Sequence, residues 1–330
     1  MSGASVSNEL TTLGAAELAR RIRSGDTSPL EVVDAHIARI EEVEPHINAL
    51  ITTTFDTARS TARRMTDAGV PADPPPLHGV PITVKDAFAV AGVRFTAGSD
   101  RLREHVAERD AEAVRRLRAA GAIVLGKSSC SDMSGSMETT NPIIGLTRNP
   151  WRLDRSAGGS SGGEGAIIAA GGSPLGLGSD IGGSIRIPSA FCGVVGLKPT
   201  AGRVSTDGQV PRAPAAIAGW NTVGPLARRV EDLRLALGVL SGRPATGHAT
   251  PSPAGRPVLV PRLVVWPPIS REVDRAVTDA AGVLGAAGMT VRRRVALPLT
   301  RALFETVALL HRHFLPSHRR ALGGDRSVSV

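Results

Sequence analysis

Ser184 stands in SDIGGSIRIP (179–188), directly after Gly182 and Gly183 and two residues before Arg186, in a stretch without histidine. A serine hydroxyl becomes a strong nucleophile only when a neighbouring base takes its proton. The residues ahead of it, Ile181-Gly182-Gly183, can aim consecutive backbone N–H groups at one spot free of Cβ crowding, as an oxyanion hole requires. The stretch therefore offers acyl-transfer chemistry, and its base must come from elsewhere in the chain. Histidine is poorly placed, since His78 lies in a Pro-rich loop and His248, His311, His313 and His318 lie in loop-like or C-terminal segments. Lysine is the other option. Of 39 basic residues only Lys85, Lys127 and Lys198 are lysines, and a buried lysine, unlike arginine, can lose its proton. None of the three completes an S-x-x-K pattern, so a Ser-Lys pair of the β-lactamase type is absent.

A second serine cluster lies in SAGGSSGGEGAIIAAGG (156–172). Read literally, Gly158 to Gly162 match G-x-S-x-G, but a nucleophile elbow needs a strand immediately before it, and PWRLDRSA (150–157) is rich in Pro and charge. No G-K-[ST] follows the glycines, which argues against a phosphate loop. The apolar GAIIAAG that continues from the loop reads as a helix, whose start could present N–H groups to an anion.

These side chains need elements to position them. Helical periodicity runs through about 12–24, 29–44 and 55–68, with SGDTSP as the turn between the first two. PPPLHGVPITVKDAFAV (74–90) gives a loop and then a short β-branched strand ending at Lys85 and Asp86. ERDAEAVRRLRAAGAIVLGK (108–127) reads as a helix stopped by Gly121 and a buried strand ending at Lys127. Further strands are expected in 174–180, 193–200, 221–227 and 256–266, and helices near 229–241 and 271–287, a mixed α/β pattern. The Pro-rich GRPATGHATPSPAGRP (242–257) is the one linker-like stretch and reads equally as a long surface loop.

At 330 residues and 42% apolar composition the chain can bury a large core. The net charge of +9 comes from dispersed arginines without a nucleic-acid-binding motif, so no nucleic-acid partner is expected. The N-terminus lacks the order of a signal peptide, and Gly and Pro break the apolar runs, so no membrane span is expected. Two cysteines, Cys130 and Cys192, form neither a disulfide framework nor a metal cluster, which fits the cytoplasm. No cofactor and no metal are expected.

LHGVPITVKDAF, GGSSGGEGA and GSDIGGSIRIPSAFCGVVGLKPT resemble the three hallmark segments of the amidase signature family, in the same order and with similar separations. The resemblance extends over roughly residues 10–240. It implies an α/β fold, one amidase domain over 1–330 with its signature core at about 75–205, and a mixed β-sheet sandwiched by α-helices. It also implies a Ser-cis-Ser-Lys triad: Ser184 as nucleophile, Ser160 as the bridging serine after a cis Gly159–Ser160 bond, and Lys85 as base. The N–H groups of Ile181, Gly182, Gly183 and Ser184 would hold the oxyanion, and Asp180 and Arg186 would hold the turn as an ion pair. Lys127 and Lys198 occupy no catalytic position, and the expectation for both is a packed stem with a solvated head.

The implied function is hydrolysis of a small carboxylic amide through an acyl-enzyme, with a homodimer left open. The Glu in GGEGA and the DIGGSIRIP loop look closer to fatty acid amide hydrolases and general bacterial amidases than to other branches. The alternative is an A-type subunit of a glutamyl-tRNA amidotransferase; that branch reads TGGSIRQP where this chain has IGGSIRIP. Two departures stand out. GKSSCSD (126–132) replaces the GKTNxPE of many relatives, removing an amide and shortening a carboxylate near the expected substrate channel. The ending HRHFLPSHRRALGGDRSVSV does not resemble the family's continuation, so a C-terminally shortened fold, or a truncated inactive relative, is a third expectation.

Overall fold

The computed structural model describes residues 9–243, 252–261 and 269–295. They form two compact units, one holding the residues up to Arg243 and one those from Ser252 onward. The first opens with helices α1 (Ala15–Ser24), α2 (Pro29–Ile47) and α3 (Phe55–Ala68). A capping box starts α2: Ser28 Oγ accepts from the Glu31 N–H and the Glu31 carboxylate accepts from the Ser28 N–H. The helix runs three residues past the expected end because Val43 and Ile47 remain in the core.

The centre of this unit is a six-stranded mixed sheet. Its strands are β1 (Leu50–Thr53), β2 (Pro81–Lys85), β3 (Ile123–Ser128), β4 (Leu175–Asp180), β5 (Val195–Gly196) and β6 (Thr222–Ala227), in the order β1-β3-β2-β4-β6-β5. β2 runs parallel to both β3 and β4, and the remaining pairs are antiparallel. Helix α4 (Glu112–Ala119) leads into β3, as the sequence pattern requires. β5 is only two residues long where 193–200 reads as a strand, and β1 has no counterpart in the sequence reading.

Helix α5 (Gly162–Ala169) lies over the middle strands with α2 packed on it. Val33, Ile37, Ile40, Ile123, Leu125, Ile167 and Ile168 form the core between them. Close approach of α5 to the sheet depends on glycine. A Cβ at Gly163 would sit 2.5 Å from the Ser129 backbone N and O and 2.6 Å from the Ala49 carbonyl. The short helix α6 (Arg186–Cys192) and helix α7 (Val230–Ser241) complete the unit.

The second unit is a β-α-β arrangement. β7 (Pro257–Pro261) and β8 (Thr290–Val295) are parallel, and helix α8 (Arg271–Ala286) makes the crossover between them. The part of the expected 256–266 strand beyond Pro261 lies outside the described residues. Among the described residues, no helix is long and apolar enough to cross a membrane.

Gly163→Ala should therefore destabilise the protein by about 1–3 kcal/mol, because backbone rather than a movable side chain meets the new methyl. Gly282→Ala, where nothing lies within 4 Å on the exposed face of α8, should instead be neutral or gain up to about 1 kcal/mol. Denaturant titration of both variants checks the contrast.

Candidate active site

Lys85 closes β2, and its side chain is wholly buried. Thr83 and Lys85 share one face of the strand because side chains alternate along it. Lys85 Nζ donates to Ser160 Oγ at 2.7 Å and to Ser179 Oγ at 3.0 Å. Both partners are neutral hydroxyls. Burial pulls the amine down to about 8 against the opposing charges of Asp180 and Glu164. At that value the free amine is the minor form at neutral pH and becomes the major form above about pH 8.

Ser160 follows a cis Gly159–Ser160 bond and is buried at the approach to α5. The Ser161 N–H donates to the Ser184 carbonyl at 3.2 Å, which ties the two serine segments together. The first N–H groups of α5 are not left for an anion: Gly162 donates to Thr139 Oγ1 at 2.9 Å and Gly163 to the Ser129 carbonyl at 3.1 Å. This corrects the expectation of an anion site at the helix start. A strand does precede the serines, Arg152–Ser156, but it is mostly exposed and pairs with Arg148–Asn149 in a ribbon outside the main sheet. A nucleophile elbow needs a strand of the central sheet, so this one does not restore it.

Ser184 is half-buried on the turn between β4 and α6. The hydrogen bonds of the described residues join Lys85 to Ser160 but do not extend to Ser184 Oγ. Asp180, buried at the end of β4, organises the turn. Its carboxylate accepts two bonds from Arg186, Nη2 at 2.9 Å and Nε at 3.0 Å. It also accepts the N–H groups of Gly183 at 2.8 Å, Ile185 at 3.1 Å and Arg186 at 3.3 Å. Burial alone would raise this carboxyl, but the Arg186 guanidinium and the N–H donors hold it below its usual range.

One expected oxyanion donor is thereby withdrawn. The Gly183 N–H is committed to Asp180, and its φ of 124° lies where side-chain-bearing residues are strained. None of the backbone hydrogen bonds of the described residues draws on the N–H groups of Ile181, Gly182 or Ser184.

Lys127 does not have a solvated head. It is fully buried at the end of β3, with Nζ 2.8 Å from Asp86 Oδ1 and 5.0 Å from the centre of the Phe95 ring. Asp86 Oδ2 in turn accepts from the Thr96 N–H and hydroxyl. The sequence conceals this pair because Asp86 arrives from the neighbouring strand. Lys198 is half-buried, in keeping with a packed stem. His78 precedes the opposite end of β2 from Lys85, and His248, His311, His313 and His318 lie outside the described residues.

The sequence does not point to Ser179, the second acceptor of Lys85, and the Glu of GGEGA stands out there only as a branch feature, although Glu164 is a buried carboxylate one turn beyond Ser160. Oε2 of Glu164 accepts from Thr83 Oγ1 at 2.6 Å and Oε1 from Ser128 Oγ at 2.8 Å. A glutamate within the otherwise apolar GGEGAIIA was the available signal.

The chain and its fold have counterparts among known proteins. The amidase family model matches residues 31–310, and the chain belongs to the amidase signature family. It is 39% identical over 306 residues to the A-type subunit of glutamyl-tRNA(Gln) amidotransferase from Roseiflexus sp. (strain RS-1), covering 89% of this chain and 61% of that protein. It is 44% identical over 245 residues to fatty-acid amide hydrolase 2-A of Danio rerio, covering 72% of this chain and 46% of that one. Among solved structures, an amidase superposes with a TM-score of 0.83 at 33% identity, over 96% of this chain and 71% of its own. The chain thus spans about half to three-fifths of the length of these two curated relatives.

Asp86→Asn leaves the Lys127 ammonium buried without its counter-charge and should cost about 3–5 kcal/mol. The double variant Asp86→Asn/Lys127→Met should lose less than the sum of the two single losses, as coupled residues do. A double-mutant cycle in urea measures this directly.

Proposed function

We propose that the chain is an amidohydrolase that cleaves a small carboxylic amide through a Lys85–Ser160–Ser184 relay. The observation that carries this reading is the amine of Lys85, buried among hydroxyls, with Nζ 2.7 Å from Ser160 Oγ. Neutral Lys85 takes the proton of Ser160 as Ser160 takes that of Ser184, and Ser184 Oγ bonds to the amide carbon. The carbonyl electron pair moves onto oxygen, where the N–H groups of Ile181, Gly182 and Ser184 receive it. Collapse of this intermediate breaks the C–N bond. Ser160 delivers its proton to the departing nitrogen and recovers one from Lys85. Water then attacks the ester by the same proton route and releases the acid. The Asp180–Arg186 pair keeps the turn that presents Ser184, and the relay asks for no cofactor. Two buried free cysteines support a cytoplasmic setting.

A second reading, an amidotransferase A-type subunit that releases ammonia from glutamine for a partner, is favoured by the match over 89% of this chain against 72% for the fatty-acid amide hydrolase. Incubation with an amide library and hydroxylamine separates the two. Hydroxamates from aryl or fatty amides support the hydrolase, whereas glutamyl hydroxamate alone supports the amidotransferase reading. No hydroxamate from any amide would mark an inactive relative.

A fluorophosphonate should label Ser184, and mass spectrometry that places the adduct on Ser160 or Ser161 would contradict the assignment. Below about pH 8 the Lys85 lone pair is occupied by a proton, so labelling and turnover should rise with pH and level off above that value. Lys85→Arg should lose at least ~10²–10⁴-fold in rate at every pH. A rate that falls as pH rises through 8 would exclude Lys85 as the base.

A further inference from the structure

Three carboxylates and two cations surround the candidate triad and its Lys85 amine, and they are not equivalently matched. Asp86 is paired with Lys127, and Asp180 with Arg186. Lys85 and Glu164 remain. Each is fully buried, and each is hydrogen-bonded only to neutral hydroxyls, Ser160 and Ser179 for the amine and Thr83 and Ser128 for the carboxylate. Among the described residues neither has a direct ion-pair partner.

The fold places these two groups on one face of the sheet. Thr83 lies two residues before Lys85 on β2, and Ser128 is the register partner of Lys85 on β3. Glu164 therefore grips both strands beside the base, one helical turn from the bridging Ser160. Room for it depends on β4: Gly176 is the register partner of Thr83, and a Cβ there would overlap Glu164 Oε2 at 1.9 Å. A carboxylate brought into an apolar helix and given a glycine-sized space beside the base has a use beyond packing.

Resting on the relay proposed above, we infer that Glu164 is a positioning residue for Lys85, whose negative charge stabilises the ammonium that forms when Lys85 takes the proton passed on from Ser184. With Glu164 ionised, proton transfer to neutral Lys85 changes the net charge of the two groups from −1 to 0. With a neutral residue in its place the same step changes the net charge from 0 to +1 in a site without water-like screening, which is costlier.

The surrounding groups leave this coupling intact. Lys85 and Lys127 are the cations that act on Glu164, whose burial raises it to about 7. Toward Lys85 stand Asp180, held charged by Arg186, and the buried Cys130 thiol, pushed up to about 12 and hence neutral. From α6 the Cys192 thiol near Gly165 is pushed up to about 12 by burial. Arg39 from α2 and Arg228 beyond β6 reach only the C-terminal end of α5, donating to the Ala170 and Ile168 carbonyls. The residues of β6 carry no titratable side chain.

The test is the pH dependence of Ser184 labelling by a fluorophosphonate in the full chain. Glu164→Gln keeps the volume and can still meet both hydroxyls. It should move the rising limb about one pH unit lower, because the Lys85 ammonium loses a stabilising charge, and lower the plateau several-fold. Thr83→Val removes one donor, leaves the carboxyl more readily protonated and should shift the limb in the same direction by less. A limb unmoved in a folded Glu164→Gln variant, whatever the change in plateau, would overturn the inference and assign Glu164 to packing. If Glu164→Gln does not fold, Thr83→Val decides by the same shift or its absence. Loss of the Lys85-dependent limb in the unsubstituted chain would instead overturn the relay itself.

Discussion

An amine removed from water without a counter-ion is the constraint from which the site follows. Desolvation disfavours the ammonium of Lys85, and hydroxyls at Ser160 and Ser179 satisfy its hydrogen bonds without supplying the charge that would restore it. A carboxylate in either position would return the lysine toward its ordinary value and remove the basis for its proposed use as a base. The position at the end of a parallel strand with neighbours on both sides achieves this burial, since β3 and β4 flank β2 while α5 covers it.

The other charges near the site are arranged so that they do not undo this. Lys127 takes Asp86, and Arg186 takes Asp180 in a two-pronged contact, so two of the three carboxylates are already matched. Each pair also has a mechanical consequence. Asp86 fixes the chain just beyond Lys85 through Thr96, and Asp180 gathers three backbone N–H groups to shape the turn carrying Ser184. Positioning by buried carboxylates in this way is precise but leaves little tolerance, because removal of Asp86, Lys127 or the half-exposed Arg186 strands a buried charge.

The sequence discloses local features and conceals pairings between strands. Helices α1 to α3 follow from apolar periodicity, β2 and β3 from short β-branched runs bounded by Pro or Gly, and the Ser184 turn from its glycines. By contrast, β1 has only four residues and no clear alternation, and α6 carries Pro188 within seven residues. Lys127 reads as an exposed strand end because its partner lies 41 residues away, just past the end of another strand. Gly183 reads as an oxyanion donor because nothing local says that Asp180, three residues earlier, uses its N–H as well as the Arg186 guanidinium. Glu164 shows up as an anomaly in an apolar helix, but its role depends on Thr83 and Ser128 from two strands, a relation fixed only by sheet register.

Because the chain contains three lysines, the ionisation of Lys85 can be observed without interference. Side-chain NMR titration of isotopically labelled lysine, assigned by Lys127→Met and Lys85→Arg, reads each ζ-amine separately. The account predicts that the Lys85 signal titrates near pH 8. A Lys85 amine that stays protonated to pH 10 or above in the folded protein would contradict it.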